Sequence, residues 1–294
     1  MILILFGIYY PYWEREWGGE AAEYIPRVRK LGFDALEVAA ADFAGKSDGY
    51  FRDLRKTAED NGIILTGGYG PDRSNNIATD DPAALERAFD FYKRMFSQME
   101  IAGIHILCGA LYSYWPVDMS ADIDKYGDTQ RSIEAMKKLA DIAADHGVEL
   151  NMEAVNRFEG YMINTCRECL DYVEKVDRGN VHVMLDTFHM NIEEDSITEA
   201  ILAAGKRLGH FHVGEANRRP PRAGRMNWEQ IGRALNSIGY DGCVVMEPFV
   251  MPGGSVGRDI HVWRDIMEDT SESSLDKTAE DSVKYLKEAL KQSN

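Results

Sequence analysis

Residues 181–191 read VHVMLDTFHMN. The run from Val181 to Leu185 is apolar at outward and inward positions alike, as expected for a strand covered on both faces in a parallel sheet. Strand alternation sends His182, Met184 and Asp186 to one side, with Asp186 at the carboxyl end. The same unit recurs along the chain. Strand-like runs occupy 2–9 (ILILFGIY), 34–39 (DALEVA), 63–68 (IILTGG), 104–109 (IHILCG), 148–153 (VELNME), 181–186, 209–214 (GHFHVG) and 242–247 (GCVVME). Amphipathic runs such as YFRDLRKTAEDNG and SIEAMKKLADIAADHG separate them, and several end on a glycine (Gly32, Gly62, Gly103, Gly147) placed as a helix stop. Eight strand–helix units in 294 residues predict a single (β/α)8 barrel domain spanning 1–294. A doubly wound sheet would carry a glycine-rich phosphate turn after an early strand, and YYPYWEREW has none.

Composition narrows the function. Hydrophobic residues make up 45% of the chain, enough for a large core, and no apolar run reaches the length of a membrane span. The net charge of −16 argues against nucleic acid and against an anionic membrane surface as partners. Cys166 and Cys169 form a C-x-x-C inside a helical pattern, without a second ligand pair, and read as reduced thiols of a cytoplasmic protein. Three long connections, after the third, fourth and seventh strands, would lie on one rim of the barrel, where substrate walls are built.

Polar residues stand at the last inward positions of four consecutive strands: Glu153, Asp186, His212 and Glu247. A single carboxylate ending a strand reads as a helix cap. Three converging beside an imidazole would repel one another and take up protons unless a cation sat among them. Three oxygens and one imidazole without thiolate favour an octahedral ion such as Mn²⁺, Co²⁺ or Mg²⁺. Such an ion would chelate a hydroxy-ketone and stabilise the enediolate left by proton abstraction, with Glu153 and Glu247 as base and acid. Exchange on opposite faces makes an epimerase; exchange between carbons 1 and 2 makes an aldose–ketose isomerase.

The strings GIYYPYWEREW, CGALYSYWP, EAVNRFE, VMLDTFHMNIEEDS, GHFHVGEANRR, GRMNW and VVMEPFV closely resemble the ketose 3-epimerases, the D-tagatose and D-psicose (D-allulose) 3-epimerase group, over nearly the whole chain. The resemblance implies a xylose-isomerase-like barrel that interconverts free ketohexoses such as D-fructose and D-psicose. It also implies Mn²⁺ or Co²⁺ as cofactor and a homodimer or homotetramer. Position by position, it puts the metal ligands on Glu153, Asp186, His212 and Glu247 and the acid/base pair on Glu153 and Glu247. Glu159, His189 and Arg218 fall where oxygens near the reacting carbon are bound. Tyr9, Trp17, Ala110, Leu111, Trp115 and Phe249 fall on an apolar wall around the far end of the sugar. The departures are Cys108, where relatives carry glycine, and Ala154-Val155.

Other polar residues read more plainly. His210 is expected as a hydrogen-bonded core histidine, His105, His146 and His261 as structural or exposed, and His182, near the inert bottom of the barrel, as taking no part in the chemistry. Glu193, Glu194 and Asp195 look like an acidic helix N-terminus. A phosphodiesterase on this scaffold would need more histidines than the seven present and a basic face. A non-catalytic sugar-binding barrel would be expected to lose one of the paired glutamates, and both are present.

Overall fold

The computed structural model describes residues 4–120, 122–222 and 224–291. Its strands are β1 (Leu5–Tyr9), β2 (Ala35–Ala39), β3 (Ile64–Gly68), β4 (Ile106–Gly109), β5 (Glu149–Glu153), β6 (Val181–Asp186), β7 (Leu208–Val213) and β8 (Cys243–Met246). They close into one parallel barrel in sequence order, β8 pairing back onto β1. All eight expected strands are present, most of them shorter by a residue or more. Residues 2 and 3 of the first lie outside the described residues. Glu247 falls one position past β8, although its N–H still donates to Val213 O at 3.1 Å.

Helices α1 (Ala21–Leu31), α2 (Asp48–Asn61), α3 (Pro82–Ala102), α4 (Lys125–Asp145) and α5 (Cys166–Val176) fill the first five crossovers. Between β6 and β7 the chain forms two, α6 (Thr187–Glu193) and α7 (Ile197–Ala204). Then α8 (Trp228–Ser237) leads to β8, and α9 (Gly254–Asp259) and α10 (Glu272–Ala289) follow it. The glycine stops hold: Gly32, Gly62 and Gly103 cap α1, α2 and α3 in the left-handed region. α8 buries Trp228, Ile231 and Leu235, one helical stripe, against the barrel. Tyr12 and Trp13, part of the aromatic cluster after β1, hold α10 by hydrogen bonds to Leu275 O (3.1 Å) and the Asp276 carboxylate (3.0 Å). The acidic triplet is placed differently from expectation. Glu193 is the last residue of α6, Glu194 its cap, and Asp195 precedes the Ser196 cap of α7. Arg157, rather than a helix dipole, partners Glu193, at 2.8 Å.

One irregularity sets the chemistry of the lumen. Val183 pairs with Leu208 but Met184 pairs with His210, so Gly209 is an extra residue in β7. Without that slip the inward and outward sets of β7 would exchange, because side chains alternate with period two. The bulge brings His210 and His212 inward and sets His212 opposite Asp186. A Cβ on Gly209 would lie 2.2 Å from Asn151 Oδ1 and 2.7 Å from His182 Cβ, so only glycine fits.

All four cysteines are buried free thiols. Among the described residues, no helix is long and apolar enough to cross a membrane.

Candidate active site and metal centre

The carboxyl ends of the strands open into a cavity of about 310 Å³. Glu153, His212 and Glu247 line its floor, and together with the buried Asp186 each offers one ligand atom, all within 4.8 Å of one another. Asp186 does two jobs. Its Oδ1 caps α6 by accepting the Phe188 N–H at 2.6 Å, as a strand-end carboxylate ordinarily does, and Oδ2 is thereby turned toward His212 Nδ1 at 4.0 Å. His212 Nδ1 also lies 3.6 Å from Glu247 Oε1.

The donor set fits a cation. Glu153 Oε1 and His212 Nδ1 are buried side-chain atoms without a hydrogen-bond partner, both aimed into the cluster. Burial and then the Glu247 charge push the Glu153 carboxyl well above the usual range. Glu247 is lowered instead, against its burial, by His212 and Arg218. Burial alone would lower His212, but Glu37 and then Glu247 hold it well above the ordinary imidazole value. Protons therefore crowd into a site whose bare atoms are all suited to a divalent metal, and the chain carries such a binding site.

Around this cluster stand the residues expected to touch substrate. His189, on α6, accepts at Nδ1 from the Asn156 N–H (3.2 Å) and side-chain amide (2.8 Å). These contacts are shorter than the 3.5 Å from Arg218 Nη2 to Nε2 and favour the ring proton on Nε2, which also lies 3.5 Å from Glu153 Oε1. Burial lowers the His189 pKa, keeping the ring neutral. Glu159 accepts from Asn156 Nδ2 at 2.9 Å, and despite burial it is held low by the Arg218 charge and that hydrogen bond. Arg218 is buried, with Nη1 2.7 Å from Glu247 Oε2 and 3.3 Å from Asp186 Oδ2. Its guanidinium lies over the Phe188 ring at 3.9 Å, and its backbone takes a left-handed φ of 64°. Glu215, also buried, keeps that loop in shape by accepting from Arg222 N, Met226 N and Trp228 Nε1 at 3.1, 3.3 and 2.9 Å.

The far wall is a chain of aromatic edges: Tyr9 on Phe249 (6.4 Å between centroids), Phe249 on Trp17 (6.3 Å) and Trp17 on Trp115 (6.5 Å). Ala110 lines the cavity beside them. Leu111 does not; it is fully buried in the core. The lining also includes Asp42, Asp72 and Asp259, so polar groups interrupt the apolar wall.

Several residues of the site carry no sequence signal of their own. Glu37, in the middle of β2, is wholly buried and accepts from both His210 and His212. Asn156 and Glu215, in loops, and Phe188, on α6, support His189 and Arg218. The remaining histidines are peripheral: His182 pairs with Glu149 and His146 with Glu100, each at 2.7 Å.

Residues 25–289 match the xylose isomerase-like TIM barrel family. The D-psicose 3-epimerase of Ruminiclostridium cellulolyticum is 49% identical over 284 residues, covering 97% of both chains. That of Agrobacterium fabrum is 48% identical, covering 95% of this chain and 96% of the relative. The crystal structure of D-psicose 3-epimerase with D-tagatose from Clostridium cellulolyticum H10 superposes with a TM-score of 0.97 at 48% identity, covering 98% of this chain and all of the other. The chain belongs to the ketose 3-epimerases, enzymes built on the xylose isomerase-like barrel.

Proposed function

We propose that this enzyme epimerises free ketohexoses at carbon 3, the D-fructose/D-psicose pair foremost and D-tagatose/D-sorbose as further substrates. The observation that carries the proposal is the convergence of four ligand atoms within 4.8 Å, two of them from glutamates on strands three places apart around the eight-stranded ring. The relatives' activities support the substrate class.

Glu153, Asp186, His212 and Glu247 would hold Mn²⁺ or Co²⁺, with Mg²⁺ a further candidate. When bound, the cation polarises the ketose carbonyl and neutralises the crowded carboxylates. Glu153 and Glu247 approach the reacting carbon from opposite sides. One removes the carbon 3 proton to leave a cis-enediolate, and the other returns a proton to the opposite face, so the centre inverts. His189, with its proton fixed on Nε2, donates to a substrate oxygen. Glu159 accepts from a neighbouring hydroxyl, and Arg218 supplies a fixed positive charge where negative charge develops. Tyr9, Trp17, Ala110, Trp115 and Phe249 pack the far end of the sugar and exclude water, with Leu111 behind Ala110.

Residues 1–294 are proposed to act as one barrel domain, a reading supported by the pairing of β8 with β1. A homodimer or homotetramer is supported by the exposed aromatic side chains of Phe158 and Trp263. The buried, unpaired thiols accord with a cytoplasmic setting.

Metal-loaded enzyme incubated with D-fructose in D₂O should place deuterium on carbon 3 of the product. Aldose formation, with label on carbon 2 of the aldose or carbon 1 of the recovered ketose, would overturn the proposal in favour of an aldose–ketose isomerase.

A further inference from the structure

Glu37 lies on the other side of His212 from the carboxylate cluster, at the centre of the barrel and fully buried. One oxygen, Oε1, accepts from His212 Nε2 at 2.7 Å. The other accepts from Thr66 Oγ1 (2.9 Å), His210 Nε2 (2.9 Å) and the Cys108 thiol (3.3 Å). Four donors on one carboxylate satisfy an anion in a place where an unpaired charge would be very costly.

An ionised carboxylate only accepts, so Nε2 of His212 keeps a proton. The nitrogen left to shed its proton and offer a lone pair is Nδ1, the atom that faces Glu247 and Asp186 and has no hydrogen-bond partner. We infer that Glu37 is a positioning residue for the metal centre: it fixes the tautomer and ring plane of His212 so that Nδ1 is presented to the cation. Thr66, Cys108 and His210 in turn hold Glu37 in place. The inference rests on the cation reading of the Glu153–Asp186–His212–Glu247 cluster. The atoms of Glu37, Cys108, His210 and His212 also approach within 4.8 Å of one another, as a second metal site would. Their donors, however, already meet on the Glu37 carboxylate, which makes them a support for the first site. Outer partners of this kind set ligand basicity and orientation, and their loss typically weakens metal binding 10–100-fold.

The test is a Co²⁺ titration of metal-free wild type and Glu37→Gln, followed by calorimetry and near-ultraviolet absorption. Wild type should take one Co²⁺ without a thiolate-to-cobalt charge-transfer band, and Glu37→Gln should bind it roughly 10–100-fold more weakly. A folded Glu37→Gln that binds Co²⁺ within threefold of wild type overturns the inference. So does a second equivalent in wild type with a charge-transfer band that Cys108→Ser abolishes. Wild type that takes no Co²⁺ overturns the cation reading itself. Should Glu37→Gln fail to fold, histidine-¹⁵N-labelled wild type loaded with Mg²⁺ decides. His212, assigned by its absence in His212→Gln, should carry its proton on Nε2, and a proton on Nδ1 overturns the inference.

Discussion

Replacing either glutamate of the pair by glutamine tests the two-base scheme at its centre. Glutamine keeps the volume of Glu153 or Glu247, whose side chains are only 12% and 14% exposed, so the surrounding packing is retained. What is lost is a group able to take up or release a proton at its own side of carbon 3. General acid–base catalysis of this kind is worth roughly 10²–10⁴-fold, or about 3–5 kcal/mol of barrier at ~1.36 kcal/mol per decade. Each glutamate also belongs to the metal cluster, so turnover must be measured at saturating Mn²⁺, with occupancy checked by elemental analysis. Under those conditions both Glu153→Gln and Glu247→Gln should interconvert D-fructose and D-psicose at least about 100-fold more slowly than wild type. Proton NMR in D₂O adds a sharper signature. Each variant keeps one base, so it should wash deuterium into carbon 3 of one epimer only, and the two variants should choose opposite epimers. A fully metal-loaded variant retaining more than about a tenth of wild-type turnover would falsify the scheme. Both variants labelling the same epimer would do the same.

Metal binding should release protons. In the metal-free site Glu153 and His212 are both held above their usual values, so each carries a proton further toward neutral pH than an exposed group would. Both must shed it to become ligands, so affinity for Mn²⁺ should rise with pH. Calorimetry in two buffers of different ionisation enthalpy measures the release, and buffer-independent heats would refute it. Gly209→Ala should be destabilising, because its Cβ would press 2.2 Å from Asn151 Oδ1 and 2.7 Å from His182 Cβ. Overpacking costs about 1–3 kcal/mol, seen as a fall of several degrees in Tm, and the displaced bulge should weaken metal binding as well. A wild-type Tm in that variant would show that the bulge does not depend on glycine.

The barrel and the four strand-end residues that converge at its floor were legible because each is a local pattern: an apolar run, a polar residue at its last inward place, then a helix. Asp186 shows the limit of that logic, since the same carboxylate caps α6 with one oxygen and faces His212 with the other. Glu37 was not legible. Within DALEVA it reads as one charged residue in a short strand, and its meaning comes from His210 and His212, more than 170 positions away along the chain. Arg218 and His189 depended on the resemblance, because what places them is hydrogen bonding from elsewhere, Glu215 shaping the loop of Arg218 and Asn156 holding the ring of His189 on α6. The acidic triplet at the end of α6 was misassigned because α6 itself, a short helix inserted directly after β6, has too little periodicity to be seen.

The four thiols have a practical use. Cys108, Cys166, Cys169 and Cys243 are buried, and desolvation raises all of them, Cys166 and Cys243 to about 12. The thiolate is the form that reacts, so alkylating and disulfide reagents find almost nothing to attack in the native protein. Each cysteine becomes reactive only when the element burying it opens, Cys166 and Cys169 with α5, Cys108 with β4 and Cys243 with β8. Timed labelling followed by peptide mass spectrometry would thus record the order in which the ring comes apart, with no label engineered into the chain.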